Sequence, residues 1–178
     1  MLKLLYEYRK VIFLQTEKAV HNIEPLWNEN SKILILGSFP SVKSREVQFF
    51  YAYKYNRFWK VISSLLDCPE PDSIEEKRSL ILNNNIALWD VIKSCDISGS
   101  SDSSISNVVV NDISKITNSA DIKAVFTNGS KSNNLYKKYL RDKTGIDAIM
   151  LPSTSPANAS YSLEKLIEKW QVILKYLK

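Results

Sequence analysis

The stretch Ile33–Ile62, "ILILGSFPSVKSREVQFFYAYKYNRFWKVI", sets both the fold and the question of function. With Ser31 and Lys32 ahead of it, it opens as "SKILIL", an apolar run of strand length that Gly37–Pro40 cut off. Ser31–Leu36 is therefore predicted as a buried strand feeding a loop. The stretch closes in "NRFWKVISSLL", residues 56–66, where Phe58, Val61, Ile62 and Leu65 recur at helical spacing and Asn56 stands near the N-cap. Between strand and helix lie Phe49, Phe50, Tyr51, Tyr53 and Tyr55, interleaved with lysine and arginine. These rings either fill a core or offer faces on which something flat stacks.

Working outward, the same alternation repeats. "DSIEEKRSLILNNN" reads as a helix, with Asp72 as its cap and Asn83–Asn85 as its end, and "IALWDVI" as a second strand. "SCDISGSSDSSISN", residues 94–107, reads as a polar Ser-rich loop. "NDISKITNS" is a short helix capped by Asn111 or Asp112, and "DIKAVFTNG" a third strand ending in Asn-Gly. "SKSNNLYKKYL" is a basic helix, "DAIMLPS" a fourth strand, and "SLEKLIEKWQVILKYL" the terminal helix. Strands alternating with helices over short connections predict an α/β fold, a three-layer α/β/α sandwich around a central, mainly parallel four-stranded sheet. In such sheets ligands bind outside the carboxyl ends of the strands. Three strand ends carry conspicuous residues: "GSFPS", "TNGS" and "LPSTSPANAS". Residues 1–25 read as an N-terminal extension and 26–178 as a single domain.

At 178 residues, with 44% hydrophobic and 24% charged residues, the composition is that of a globular protein able to bury a real core. No apolar run is long enough to span a bilayer, and the first residues lack the compact apolar stretch and cleavage site of a signal peptide. The expected location is the cytoplasm, or the nucleus of a eukaryote. Cys68 and Cys95 stand alone, which excludes a four-cysteine iron–sulfur or zinc site and reads as two reduced structural thiols. His21 is the one histidine; with no GxSxG elbow it reads as a surface or cap residue. No metal or cofactor is implied. The net charge of +5 suits a polyanionic partner through counterion release.

Taken together, "LGSFPSVKSRE", "YAYKYNRFWKV", "IALWDVIKSC", "FTNG" and "LPSTSPANA" resemble, in order, the uracil-DNA glycosylase superfamily, most closely its hypoxanthine-DNA glycosylase branch. The mismatch-specific uracil glycosylases are more distant relatives that share the NRFWK segment. The resemblance runs from about Ile33 to the C-terminus. It implies a monofunctional enzyme, most simply a monomer, that hydrolyses the N-glycosidic bond of hypoxanthine, with uracil as second candidate, in DNA. Such an enzyme leaves an abasic site and needs no metal. Its base must first be flipped out of the stack into a pocket with an aromatic wall, a polar edge-reader and a placed water.

The resemblance assigns those parts. Tyr51 is the ring on which the base stacks; on pattern alone it is core or surface packing. Asn56 binds the attacking water; on pattern alone it is a cap. Many superfamily members carry a catalytic Asp or Asn two residues after the loop glycine, where this chain has Phe39. Catalysis would then lean on stabilising the dissociating sugar cation and the departing base. Gly37, Ser38, Phe39 and Pro40 wall the pocket. Asn128 reads the base edge, because an amide offers a donor beside an acceptor and hypoxanthine a carbonyl beside a ring N–H, the reverse of adenine. Without the resemblance, Asn128-Gly129 is an ordinary turn. Ser41, Ser44, Ser153, Thr154 and Ser155 offer hydroxyls to DNA phosphates, and Pro156, Ala157 and Asn158 form the tip of a loop entering the minor groove. The histidine many relatives carry in that loop is absent, and the proton donor to the leaving base is unassigned. Asp90 reads as a structural strand-end residue. The rival readings are a uracil or mismatch-specific glycosylase and a DNA-binding protein that senses damage without cutting.

Overall fold

The structure, a computed structural model, describes residues 17–178. Its centre is a four-stranded parallel sheet in the order β3-β2-β6-β7, built from β2 (Ile33–Gly37), β3 (Ile86–Asp90), β6 (Ala124–Asn128) and β7 (Ala148–Leu151). Every residue of β2 and β3 is buried, as expected where helices cover both faces of a parallel sheet. The helices are α1 (Val42–Val47), α2 (Phe58–Leu65), α3 (Ile74–Asn83), α4 (Ser114–Thr117), α5 (Ser130–Tyr139), α6 (Arg141–Thr144) and α7 (Leu163–Trp170). The result is the predicted α/β/α sandwich. Helix α2 packs on α7, with the Phe58 ring edge-on to Trp170 at 5.8 Å, while α5 lies against β6 and β7.

A second sheet escapes the sequence reading. β1 (Glu17–Val20), β4 (Ile92–Ile97) and β5 (Ser106–Val110) form an antiparallel sheet in the order β1-β4-β5. Residues 94–107 are therefore not one loop: they contain the end of β4, a turn with a single 3-10 segment at Asp102–Ser104, and the start of β5. Of the segment read as an extension, residues 1–16 lie outside the described residues. Residues 17–25 are tied into the fold through the β1–β4 ladder and the bond of the His21 amide to the Lys93 carbonyl, 2.7 Å.

Helix starts also differ in detail. Ser73, not Asp72, caps α3, and it forms a capping box with Glu76. Asp112 rather than Asn111 accepts the amide of Ser114 at the start of α4, while Asn111 is buried with its amide donating to the Asp90 and Ile92 carbonyls. The terminal helix is α-helical only to Trp170 and tightens to 3-10 over Gln171–Tyr176.

Candidate active site

A cavity of about 630 Å³ opens at the carboxyl end of the parallel sheet. Strand order reverses about β2 here: the chain leaves β2 for β3 on one side and returns to β6 on the other. Crevices at such switch points are the usual ligand sites of α/β sheets. Residues 37–41 and Ser44 line it from the first loop, residues 153–157 from the last, with Tyr51, Asn56, Asp90 and Asn128 between them. Of the residues singled out from sequence, Asn158 alone stays off the wall; its amide donates to the Ser153 carbonyl at 2.9 Å and holds the last loop in shape.

The polar centre is a directed chain through Thr154. The Thr154 backbone N–H donates to Asn128 Oδ1 at 2.9 Å, which fixes the Asn128 amide with Nδ2 toward Thr154 Oγ1, also 2.9 Å away. The Phe58 N–H donates to Asn56 Oδ1 at 3.0 Å and fixes that amide too. Thr154 Oγ1 receives from Asn128, so its own hydrogen goes to Asn56 Oδ1, 2.9 Å away. Asn56 Oδ1 thus accepts two bonds, and the free end of this amide is its NH2, a donor. Helix α2 begins one residue later than expected, with Arg57 in the cap position, but Asn56 does take up the first orphan amide. Thr154 is fully buried, so its hydroxyl links Asn56 to Asn128 instead of offering itself to a phosphate.

Tyr51 is held in a left-handed backbone conformation, φ 51°, uncommon for a bulky side chain and often found at functional sites. Its ring stacks on Phe58 with centroids 3.9 Å apart and 18° between planes. The Tyr51 hydroxyl is buried and makes no hydrogen bond; the Asn128 amide approaches without reaching bonding geometry. Burial, and next the negative charge of Asp90, push the phenol well above the ordinary tyrosine value, and Asn128 offsets part of this. The phenol therefore stays protonated.

The first loop is organised by its own serines. Ser41 caps α1, and Ser44, buried, exchanges a bond with Ser41 and accepts the Ala52 amide at 3.1 Å. Ser44 thus shapes the loop and is not free for a phosphate. Ser38 donates to Asp102 at 2.9 Å, from the turn between β4 and β5. Asp102 is exposed as a residue, yet its carboxylate turns in toward the cavity, and the protein crowded around it pushes the carboxyl up, the Ser38 bond offsetting part. Arg45 folds back onto the Pro40 carbonyl, 3.0 Å, and over the Phe39 ring, 5.3 Å.

Sequence reasoning missed Arg57. Its guanidinium donates to the carbonyls of Thr154, Ser155, Asn158 and Tyr161, and its backbone N–H to Thr154 as well. It is the clamp that sets the last loop against α2. Nothing in "NRFW" marks its target, because carbonyls carry no residue signature. Gly129 was visible as a turn but not for its reason: with φ 99° it sits where a Cβ would lie 2.9 Å from Ser153 Cβ. His21 is the other departure. It is buried and bonded through Nε2 to Asp90 Oδ2 at 3.0 Å, not a surface or cap residue. Asp90 ends β3 as expected, and it also borders the cavity. Among the described residues no cluster of His, Cys, Asp and Glu could hold a metal ion, and no helix is long and apolar enough to cross a membrane.

This architecture has relatives. The chain is 33% identical over 151 residues to a hypoxanthine DNA glycosylase of Methanosarcina acetivorans, covering 84% of this chain and 94% of that protein. It is 32% identical over 136 residues to a hypoxanthine DNA glycosylase of Methanosarcina barkeri, covering 75% and 85%. The solution NMR structure of a candidate uracil DNA glycosylase from M. acetivorans superposes with a TM-score of 0.75 at 31% identity, over 87% of this chain and 96% of that one. The family model described as the uracil DNA glycosylase superfamily matches residues 24–178, and the chain belongs to that superfamily.

Proposed function

We propose that the protein is a DNA glycosylase that removes hypoxanthine, and uracil as a smaller base of the same edge pattern, from deaminated DNA. The observation that carries this reading is the Asn56–Thr154–Asn128 chain beside the Tyr51 ring in one cavity, in a chain similar to two hypoxanthine DNA glycosylases. A flipped base stacks on Tyr51, and Phe39 and Pro40 of the first loop enclose it. The NH2 of Asn56 donates to a water and aims its oxygen at the anomeric carbon; the amide oxygen, already holding two donors, takes no proton from it. The glycosidic C–N bond breaks with its electron pair leaving on the base as that water adds to C1′; the water loses a proton to solvent, the base takes one from solvent, and free base and abasic sugar are the products. The spare N–H of Asn128 meets the base carbonyl. Ser153 and Ser155 face the backbone phosphates, Ser41 having given its hydroxyl hydrogen to Ser44, and Pro156 and Ala157, both exposed, are the tip that enters the gap left in the helix. The positive net charge draws in the DNA.

The test is incubation of labelled duplexes bearing one deoxyinosine or one deoxyuridine, in EDTA, followed by alkali. The expected result is an intact strand until alkali is added, then cleavage at deoxyinosine. Cleavage at deoxyuridine alone would move the protein to the uracil-specific members of its superfamily. Binding without any product would leave a sensor of damage rather than an enzyme.

A further inference from the structure

Asp90, Gly37 and Asn128 stand on one rung of the parallel sheet. Gly37 pairs with Asp90 across β2–β3, and Leu36 with Thr127 across β2–β6, so Asn128 is the next residue along, beside Gly37. Neighbouring strands about 4.8 Å apart put the Asp90 and Asn128 backbones roughly 10 Å from each other with a bare glycine between them. Asp90 Oδ1 leans into that gap beside the Tyr51 hydroxyl, at the wall of the cavity. The gap requires the glycine: a Cβ on Gly37 would lie 2.1 Å from Asp90 Oδ1 and 3.4 Å from the Tyr51 hydroxyl.

The two Asp90 oxygens differ. His21 Nδ1 is 3.0 Å from the Ile23 backbone N–H, which can only donate, so Nδ1 is the acceptor and Nε2 carries the hydrogen. That hydrogen goes to Asp90 Oδ2 at 3.0 Å. Among the described residues no donor satisfies Oδ1, although Asp90 is only 4% exposed and what remains borders the cavity. Oδ1 is open to the cavity, close to the unpartnered Tyr51 hydroxyl, and a ligand N–H there would supply the donor it lacks.

We infer that Asp90 is a specificity-determining residue of the base pocket: its Oδ1 accepts the ring N–H of the flipped base, while His21 engages Oδ2 and weakens it as a second acceptor. The inference rests on the glycosylase reading and extends it. Asn128, whose Oδ1 is tied to the Thr154 amide, supplies the donor for the base carbonyl, and Asp90 the acceptor for the neighbouring N–H. The pair matches the N1–H and O6 of hypoxanthine and the N3–H and O4 of uracil. Adenine turns a ring lone pair toward Oδ1 and is repelled. Guanine presents N1–H and a 2-amino group side by side, which a carboxylate with two free oxygens would grip in bidentate fashion. The His21 bond already draws on Oδ2, so the amino group meets a weaker acceptor than a free carboxylate oxygen, and guanine is disfavoured. The normal purines are thus disfavoured by one carboxylate and the histidine behind it.

The test reads affinity rather than turnover. Duplexes carrying 2′-fluoro-inosine, 2′-fluoro-adenosine or 2′-fluoro-guanosine resist glycosidic cleavage, because the fluorine disfavours the sugar cation. Their binding is measured by fluorescence anisotropy for wild type, Asp90→Asn, His21→Ala and His21→Gln, with thermal unfolding of each. Wild type should prefer the inosine duplex. Asp90→Asn, whose amide can donate to a ring lone pair, should narrow the inosine-to-adenosine ratio by roughly tenfold. His21→Ala, which frees Oδ2, should narrow the inosine-to-guanosine ratio by a similar factor, and His21→Gln, which keeps a donor there, should narrow it less. A wild type with no preference among the three duplexes, or an Asp90→Asn that weakens all three equally, overturns the inference. If Asp90→Asn does not fold, equal guanosine ratios in His21→Ala and His21→Gln overturn it. Failure of the glycosylase reading shows separately, as wild type that makes no product from deoxyinosine or deoxyuridine.

Discussion

The parallel sheet and the antiparallel sheet meet at the cavity but are made differently. In the first, β2 and β3 are buried along their whole length and β6 at all but Asn128. In the second, β1 and β5 have no buried residue, and β4 alternates, with Ile92, Cys95 and Ile97 turned inward. The parallel sheet is core and frames the cavity with strand ends. The antiparallel sheet contributes few apolar contacts and carries polar groups to the same place: His21 just past β1, and Asp102 in the turn between β4 and β5. One sheet therefore holds the molecule together, and the other adds polar groups and part of one wall, Ile97, Ser100 and Asp102, to the cavity.

The largest test of that division is a pair of truncations. Ile35→Ala in β2 leaves a void at a fully buried position and should destabilise by about 2–5 kcal/mol in urea unfolding. Val109→Ala in β5, 53% exposed, should stay within about 0.5 kcal/mol. Equal losses would show that the antiparallel sheet is part of the core and erase the contrast.

Next in size is Asn56→Ala. Removing the one free amide donor at the water position should lower single-turnover excision from a deoxyinosine duplex by about 100-fold. Asn56→Asp, which has no N–H to give, should not recover it. Near-normal excision by either variant would sink the role given to Asn56.

Arg57→Lys comes third. Lysine keeps the charge but cannot span the four carbonyls that the guanidinium collects. The last loop should loosen, with excision down roughly tenfold and faster protease cleavage within residues 153–161. A loop equally protected in the variant would mean that Trp170, bonded to the Pro152 carbonyl at 3.0 Å, suffices to seat it.

What the sequence disclosed follows the same contrast. β2 and β3 were legible because burial on both faces leaves an unbroken apolar run, "ILIL" and "IALW". β4 and β5 were not, because "SCDIS" and "SISNVVV" flank glycine and serines and mix polar with apolar residues, the pattern of a loop. The cavity lining was legible through the resemblance, which grouped Tyr51, Asn56 and Asn128 where pattern alone read packing, a cap and a turn. The site was not legible where the partner is backbone, as for Arg57, or lies far along the chain, as for His21 and Asp90, 69 residues apart. The Thr154 hydroxyl was noticed for the wrong partner: its polarity shows in sequence, its burial does not.

The smallest effect is expected at Asp102, where the two sheets touch through Ser38. Crowding pushes this carboxyl above its unfolded value of about 3.9, the Ser38 bond offsetting part. Between the unfolded and folded values the folded protein holds a proton that the unfolded chain has released, so stability falls as pH rises through that window and is level above it. Asp102→Asn has no such proton. Its thermal midpoint, compared with wild type from about pH 3.5 to 7, should gain on wild type as pH rises and then hold a constant lead. Because Asp102 is exposed as a residue, solvent screens most of this, and the lead should be smaller than the shift from Arg57→Lys. A lead that shrinks with rising pH would mean that the Ser38 bond outweighs the crowding. The antiparallel sheet would then stabilise the first loop with its charge instead of straining against it.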